Sequence, residues 1–155
     1  MKNLRDFKNF NLKEFDSLLI ERLNNWSLPV LRISLGIVFI WFGALKPFGD
    51  SPANEVITKT IYWFDPDIFI PILGFWEILI GICLLYTPII RVGLFLLALQ
   101  MPGTFLPLVL RPEICFIDAP FNLTLEGQYI VKNLVLIGAA MVVGGKLAPI
   151  KKLQS

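Results

Sequence analysis

Glu77, Gln100 and Lys132 are the residues of this chain whose types and spacing could do chemistry. Each interrupts a run that is otherwise apolar. Thr104 follows Gln100 by one helical turn across Met101-Pro102-Gly103, Lys46 closes the first apolar run, and Glu126 stands six residues before Lys132. An ionisable side chain inside a bilayer costs on the order of 3 kcal/mol and by default marks a functional position. Three kinds of chemistry fit such a set. Glu77 can pair with a lysine and fix helix register without reacting. The group can line a polar pocket for a small ligand such as a quinone head group or a lipid. Glu77 can relay a proton or ion, although one carboxylate without a chain of further acids makes a weak relay.

The sequence also excludes chemistry. It holds no histidine, which removes His-ligated haem, His-containing zinc sites and Ser-His-Asp or Cys-His nucleophiles. No metal site and no covalently held cofactor is expected. Its two cysteines, Cys83 and Cys115, lie far apart in the expected topology and form no C-x-x-C. Cys83 reads as an inert core thiol. Cys115, in a loop, reads as exposed and open to a reactive role. A formal net charge of +2 and no clustered basic face argue against nucleic acid.

The elements that must position these groups are membrane helices. The chain has 155 residues, of which 55% are hydrophobic and only 17% charged. Apolar runs of about 20 residues span the hydrocarbon layer, and four occur, at about 29–46, 66–86, 89–110 and 128–146. Ser27-Leu28-Pro29 reads as the start of the first. Gly36 and Gly43 in the first run, and Gly74, Glu77 and Gly81 in the second, fall at spacings that share a helix face. Glu77 lies about ten residues from either end of its run, close to the bilayer midplane. Pro102 loosens the third helix around Gln100 and Thr104. Lys132 is expected to reach down and Glu77 up, through Gln100 or a water. Residues 111–127 read as a long connection without a clear helix. Trp41, Tyr62, Trp63 and Trp76 read as belt and packing residues.

Residues 1–28 read as a separate unit, an amphipathic helix lying in the membrane interface or packed on a partner or the bundle end. It shows no compact apolar core with a cleavage site, so it does not read as a signal peptide. Residues 29–155 then form the transmembrane domain. Met1–Arg32, the 87–91 turn and the end from Lys146 hold ten of the fourteen lysines and arginines, which predicts cytoplasmic termini by the positive-inside rule. The fold class expected is an all-α membrane protein, an antiparallel four-helix bundle with an N-terminal interfacial helix.

Three motifs carry a family resemblance. Arg32-x-x-Leu35-Gly36-x-x-Phe39-x-x-Phe42-Gly43-x-x-Lys46, then Trp76-Glu77-x-x-x-Gly81, then Glu126-Gly127-Gln128-Tyr129-x-x-Lys132-Asn133 together resemble the DoxX-like four-helix proteins of the bacterial inner membrane. The resemblance covers about residues 29–145 and matches Lys46, Glu77 and Lys132 to family positions. It implies an accessory integral subunit of a larger membrane complex, such as a respiratory or other oxidoreductase complex. Protein partners, lipid contact and quinone contact would go with that role, without catalysis by the chain alone. The residues themselves leave open a small transporter or ligand-binding protein acting through Lys46, Glu77, Gln100, Thr104, Glu126 and Lys132. An enzyme using Cys115 on a thiol or quinone substrate ranks last.

Overall fold

The computed structural model describes residues 12–49 and 51–149. Residues 1–11 of the amphipathic segment and the lysines at 151 and 152 lie outside the described residues. The elements are α1 (Leu12–Leu45), α2 (Ala53–Thr60), α3 (Pro66–Leu85), a 3-10 turn (Thr87–Ile89), α4 (Ile90–Leu110), α5 (Pro112–Cys115), β1 (Phe116–Asp118), β2 (Asn122–Leu123), α6 (Leu125–Val131) and α7 (Asn133–Gly145).

Four segments are long and apolar enough to cross a membrane: Glu14–Leu45, Pro66–Leu85, Thr87–Leu110 and Leu125–Gly145. Their outward faces carry Ile37, Phe75, Phe95 and Met141, all exposed. Apolar exposure over every helix is untenable in water and costs nothing in lipid, whose chains are as apolar as the side chains. The core between the helices joins Leu35, Phe39, Ile80, Leu84, Leu97, Met101 and Val143.

The α1–α3 contact is the tightest, and glycine makes it so. A Cβ on Gly43 would stand 2.6 Å from the Gly74 carbonyl oxygen, and one on Gly81 would stand 2.5 Å from that of Gly36. Backbone meets backbone at two points seven residues apart on each helix, so α1 rises where α3 descends. Small residues allow this approach, which maximises dispersion contact where no hydrophobic force drives helices together. α4 packs next, with Gly93 set against the Cys83 side chain.

Several expectations change. Pro29 does not start a helix: α1 runs unbroken through it for 34 residues, about 51 Å at 1.5 Å per residue. Proline removes one backbone donor, and the rest of the ladder carries the helix across. The described part of the amphipathic unit is therefore continuous with the first span, and its Leu12, Leu18, Leu19, Leu23 and Trp26 stand exposed. The last span begins at Leu125 rather than near Gln128, because the Thr124 hydroxyl caps it by accepting from Gly127 N at 3.1 Å. It also breaks at Lys132, between α6 and α7.

The connection at 111–127 is structured. α5 leads into an antiparallel β1–β2 hairpin that pairs Phe116 with Leu123. Thr124 closes it, its amide donating to Cys115 O at 3.0 Å and its hydroxyl to Ile114 O at 2.6 Å. Cys115 is consequently buried, with 0% exposure, not exposed as its loop position suggested.

Candidate functional site

The glycine register sets the site. A Cβ on Gly43 would meet the Glu77 Cβ at 2.9 Å and one on Gly74 the Lys46 Cβ at 3.1 Å, so each of these side chains flanks the opposite helix's glycine and the two reach one another across the contact. Lys46 Nζ donates to Glu77 Oε2 in a buried ion pair. Position alone suggested that Lys46 could snorkel from the end of its helix. Instead it is 5% exposed, beside a carboxylate that is 8% exposed. From α4, Gln100 Nε2 donates to the other carboxylate oxygen, Oε1, at 2.7 Å. Glu77 thus accepts one charged and one neutral hydrogen bond, as a buried carboxylate must to offset desolvation.

The network ends on an unsatisfied atom. With its amide nitrogen committed to Glu77, Gln100 turns its oxygen away, and that Oε1 is buried without a donor. A buried acceptor left alone costs about 1–3 kcal/mol. Thr104 does not relieve it: its hydroxyl donates to the Gln100 backbone carbonyl at 3.4 Å. Proline adds freed acceptors on the same helix. Pro102 and Pro107 both lie inside α4 and leave the Ala98 and Gly103 carbonyls without their usual i+4 donor.

Lys132 does not reach Glu77. Its ammonium lies over the Tyr129 ring, 3.6 Å from the centroid, and 5.2 Å from that of Phe42. Cation–π contacts of this kind stabilise by about 0.5–2 kcal/mol. No carboxylate lies within ion-pair distance of Lys132 among the described residues, and Glu126 likewise has no cationic partner there.

All six residues expected from sequence line one cavity of about 760 Å³: Lys46, Glu77, Gln100, Thr104, Glu126 and Lys132. The remaining wall is mostly apolar and aromatic, with Phe39, Phe42, Trp76 and Tyr129, and α2 contributes Val56 and Ile57 at one end. Trp76 therefore lines a site as well as packing, whereas Trp41, Tyr62 and Trp63 are exposed, as belt residues would be. Gly103 borders the cavity, and a Cβ there would meet nothing within 4 Å. Pattern reasoning missed the contribution of α2 and Tyr129. Tyr129 was legible as a ring within a turn of Lys132; α2 was legible as a short capping helix begun by Ser51-Pro52 with Val56, Ile57 and Ile61 on one side, but its place on the cavity wall was not.

Outside the spans, burial pushes the Cys115 thiol above its usual pKa, and the carboxylates of Glu113 and Glu126 push the same way. The hydrogen bond and charge of Lys59 hold Glu55 below the usual carboxylate value. Among the described residues no group of three or more His, Cys, Asp or Glu side chains is placed to hold a metal. Comparison of the chain with protein-family models, curated proteins and solved structures gives no match.

Proposed function

We propose that this is a small multi-pass membrane protein that holds an amphipathic ligand between its helices, with a polar head in the Lys46–Glu77–Gln100–Lys132 region. A quinone or a lipid is the class of ligand. The carrying observation is the cavity itself: about 760 Å³ falls within the roughly 300–1,000 Å³ of ligand sites, and an apolar wall with a few convergent polar groups suits an amphiphile. Its setting on this reading is an antiparallel four-helix bundle in the bacterial inner membrane, with both termini cytoplasmic.

The test uses a protein in which Trp26, Trp41 and Trp63 are replaced by Phe, leaving Trp76 as the reporter. Amphiphiles with brominated chains should quench Trp76. Gly103→Phe, which adds a ring at the cavity border where a Cβ would meet nothing within 4 Å, should remove most of that quenching. Equal quenching in both proteins would refute a ligand in the cavity.

A second reading, an accessory subunit of a larger oxidoreductase complex, draws on the DoxX-like resemblance. The hairpin outside the spans favours it, because Ile117 and Phe121 are exposed there and offer a docking tip. Gentle extraction from native membranes would recover a stoichiometric partner, with haem or flavin bands in the visible spectrum. A colourless, partner-free protein would exclude it.

A further inference from the structure

The charges around the cavity do not cancel in place. Four acidic or basic side chains line it: Lys46, Glu77, Glu126 and Lys132. Lys46 and Glu77 neutralise each other in the buried pair. That leaves one cation, Lys132, and one anion, Glu126, each without an ion-pair partner among the described residues. Both belong to one short stretch. Glu126 is in the first turn of α6 and Lys132 caps its end, so they are separated by roughly 9 Å along the axis at 1.5 Å per residue.

A cavity with one free charge of each sign is complementary to a zwitterion. A purely anionic head would meet Lys132 but also face Glu126, and like-charge juxtaposition is what discriminates against wrong partners. Glu126 adds a third requirement. Its carboxylate has no donor among the described residues and stands on the same wall, so an occupant whose cation brings N–H groups is favoured over one whose cation carries none. The apolar and aromatic remainder of the wall asks for hydrocarbon.

We propose that the occupant is a phospholipid whose head pairs a phosphate with a primary ammonium, two methylenes apart. The phosphate meets Lys132, the ammonium meets Glu126, and an acyl chain lies along the Trp76 side. A free zwitterion of the same head chemistry is the other source of these groups, and the lining of Phe39, Phe42 and Trp76 argues for the lipid. This rests on the amphiphile reading above and specifies its ligand.

The experiment titrates the Trp76-only protein in detergent with phospholipids carrying brominated chains. Phosphatidylethanolamine should half-quench Trp76 at a concentration at least fivefold lower than phosphatidylcholine or phosphatidylglycerol. The mono- and dimethylated ethanolamine lipids, which lose one N–H donor at each step, should fall between. Lys132→Met and Glu126→Gln should each bring the preference within twofold, and Lys132→Arg should keep it. The methylation series needs no variant in the site, so it holds even where a substitution prevents folding. Equal quenching by all the lipids would overturn this inference and leave the amphiphile reading standing. No quenching by any of them would overturn this inference, and the amphiphile reading falls with it where a quinone bearing a brominated chain also leaves Trp76 unquenched. Displacement of the brominated lipid by free glycerophosphoethanolamine at equal concentration would assign the site to a soluble zwitterion and overturn the lipid claim.

Discussion

Removing the Glu77 carboxylate while keeping Lys46 should destabilise the protein severely. In Glu77→Ala the Lys46 ammonium, 5% exposed, loses its counter-charge, and Gln100 Nε2 loses its acceptor. Breaking a buried ion pair from one side costs about 3–5 kcal/mol. The lost Gln100 bond, made to a charged acceptor, belongs to a class worth about 1.5–3 kcal/mol, which places the total in the upper part of that range. Outward relaxation of the lysine stem from the end of α1 works against this and sets the lower bound near 3 kcal/mol. Lys46→Met/Glu77→Leu removes both charges at once, and hydrophobic replacement of a whole buried pair is often neutral or stabilising. The double variant still loses the acceptor for Gln100 Nε2 and should therefore unfold within about 1–3 kcal/mol of the parent, with a coupling of at least 2 kcal/mol between the sites. Reversible unfolding in mixed detergent–SDS micelles, followed by far-UV circular dichroism, measures Glu77→Ala and the four proteins of the cycle: the parent, Lys46→Met, Glu77→Leu and the double variant. Single costs that add to within about 0.5 kcal/mol would refute the claim that these groups form a closed buried pair.

Other predictions use the same structure. Gly43→Ala should cost about 1–3 kcal/mol, since its Cβ would lie 2.6 Å from the Gly74 carbonyl oxygen. Gly138→Ala, with nothing within 4 Å, should gain about 0.5–1 kcal/mol; the same SDS titration compares them. Cys115 should alkylate slowly at neutral pH. Its raised pKa keeps the thiol protonated, so the rate climbs only as pH passes above the ordinary thiol range. The same proton uptake stabilises the folded state at lower pH, an effect lost as pH rises through the folded value. A maleimide time course against pH, with and without SDS, reads the rate, and fast labelling of the folded protein at neutral pH would contradict the burial. Arg111 Nε donates to the Lys59 carbonyl at 2.8 Å. Losing this charged bond in Arg111→Met should free about 1.5 kcal/mol, seen as roughly tenfold faster amide exchange in α2.

Much of the site was legible because membrane burial makes polar residues conspicuous. Glu77, Gln100 and Lys46 stand out in apolar runs, and the structure joins them. The partner choice was harder. Lys132 and Lys46 were both plausible for Glu77 by depth, and the pairing of Gly36 with Gly81 and Gly43 with Gly74 decides between them. The seven-residue spacing is visible in each helix, but which glycine meets which is a non-local fact. Pro29 misled for a related reason: local rules place proline at helix starts, whereas a long helix tolerates the loss of one bond. The burial of Cys115 depends on a hairpin closed by Thr124, nine residues away, and on the α6 residue Gly127 lying against the Cys115 carbonyl. No periodicity announces either contact.

The paired glycines also bear on how the chain is assembled. α1 and α3 leave the ribosome before α4, α6 and α7, with only α2 and short connections between them. Their glycine contacts and the Lys46–Glu77 pair need nothing from α4 or later. The most expensive group in the chain can thus be neutralised as soon as the second span meets the first, before Gln100 has been synthesised. A translocon releasing this chain would hand over a hairpin whose buried charges are already paired, to which the third and fourth spans add, the Lys132 ammonium settling over the rings of Phe42 and Tyr129.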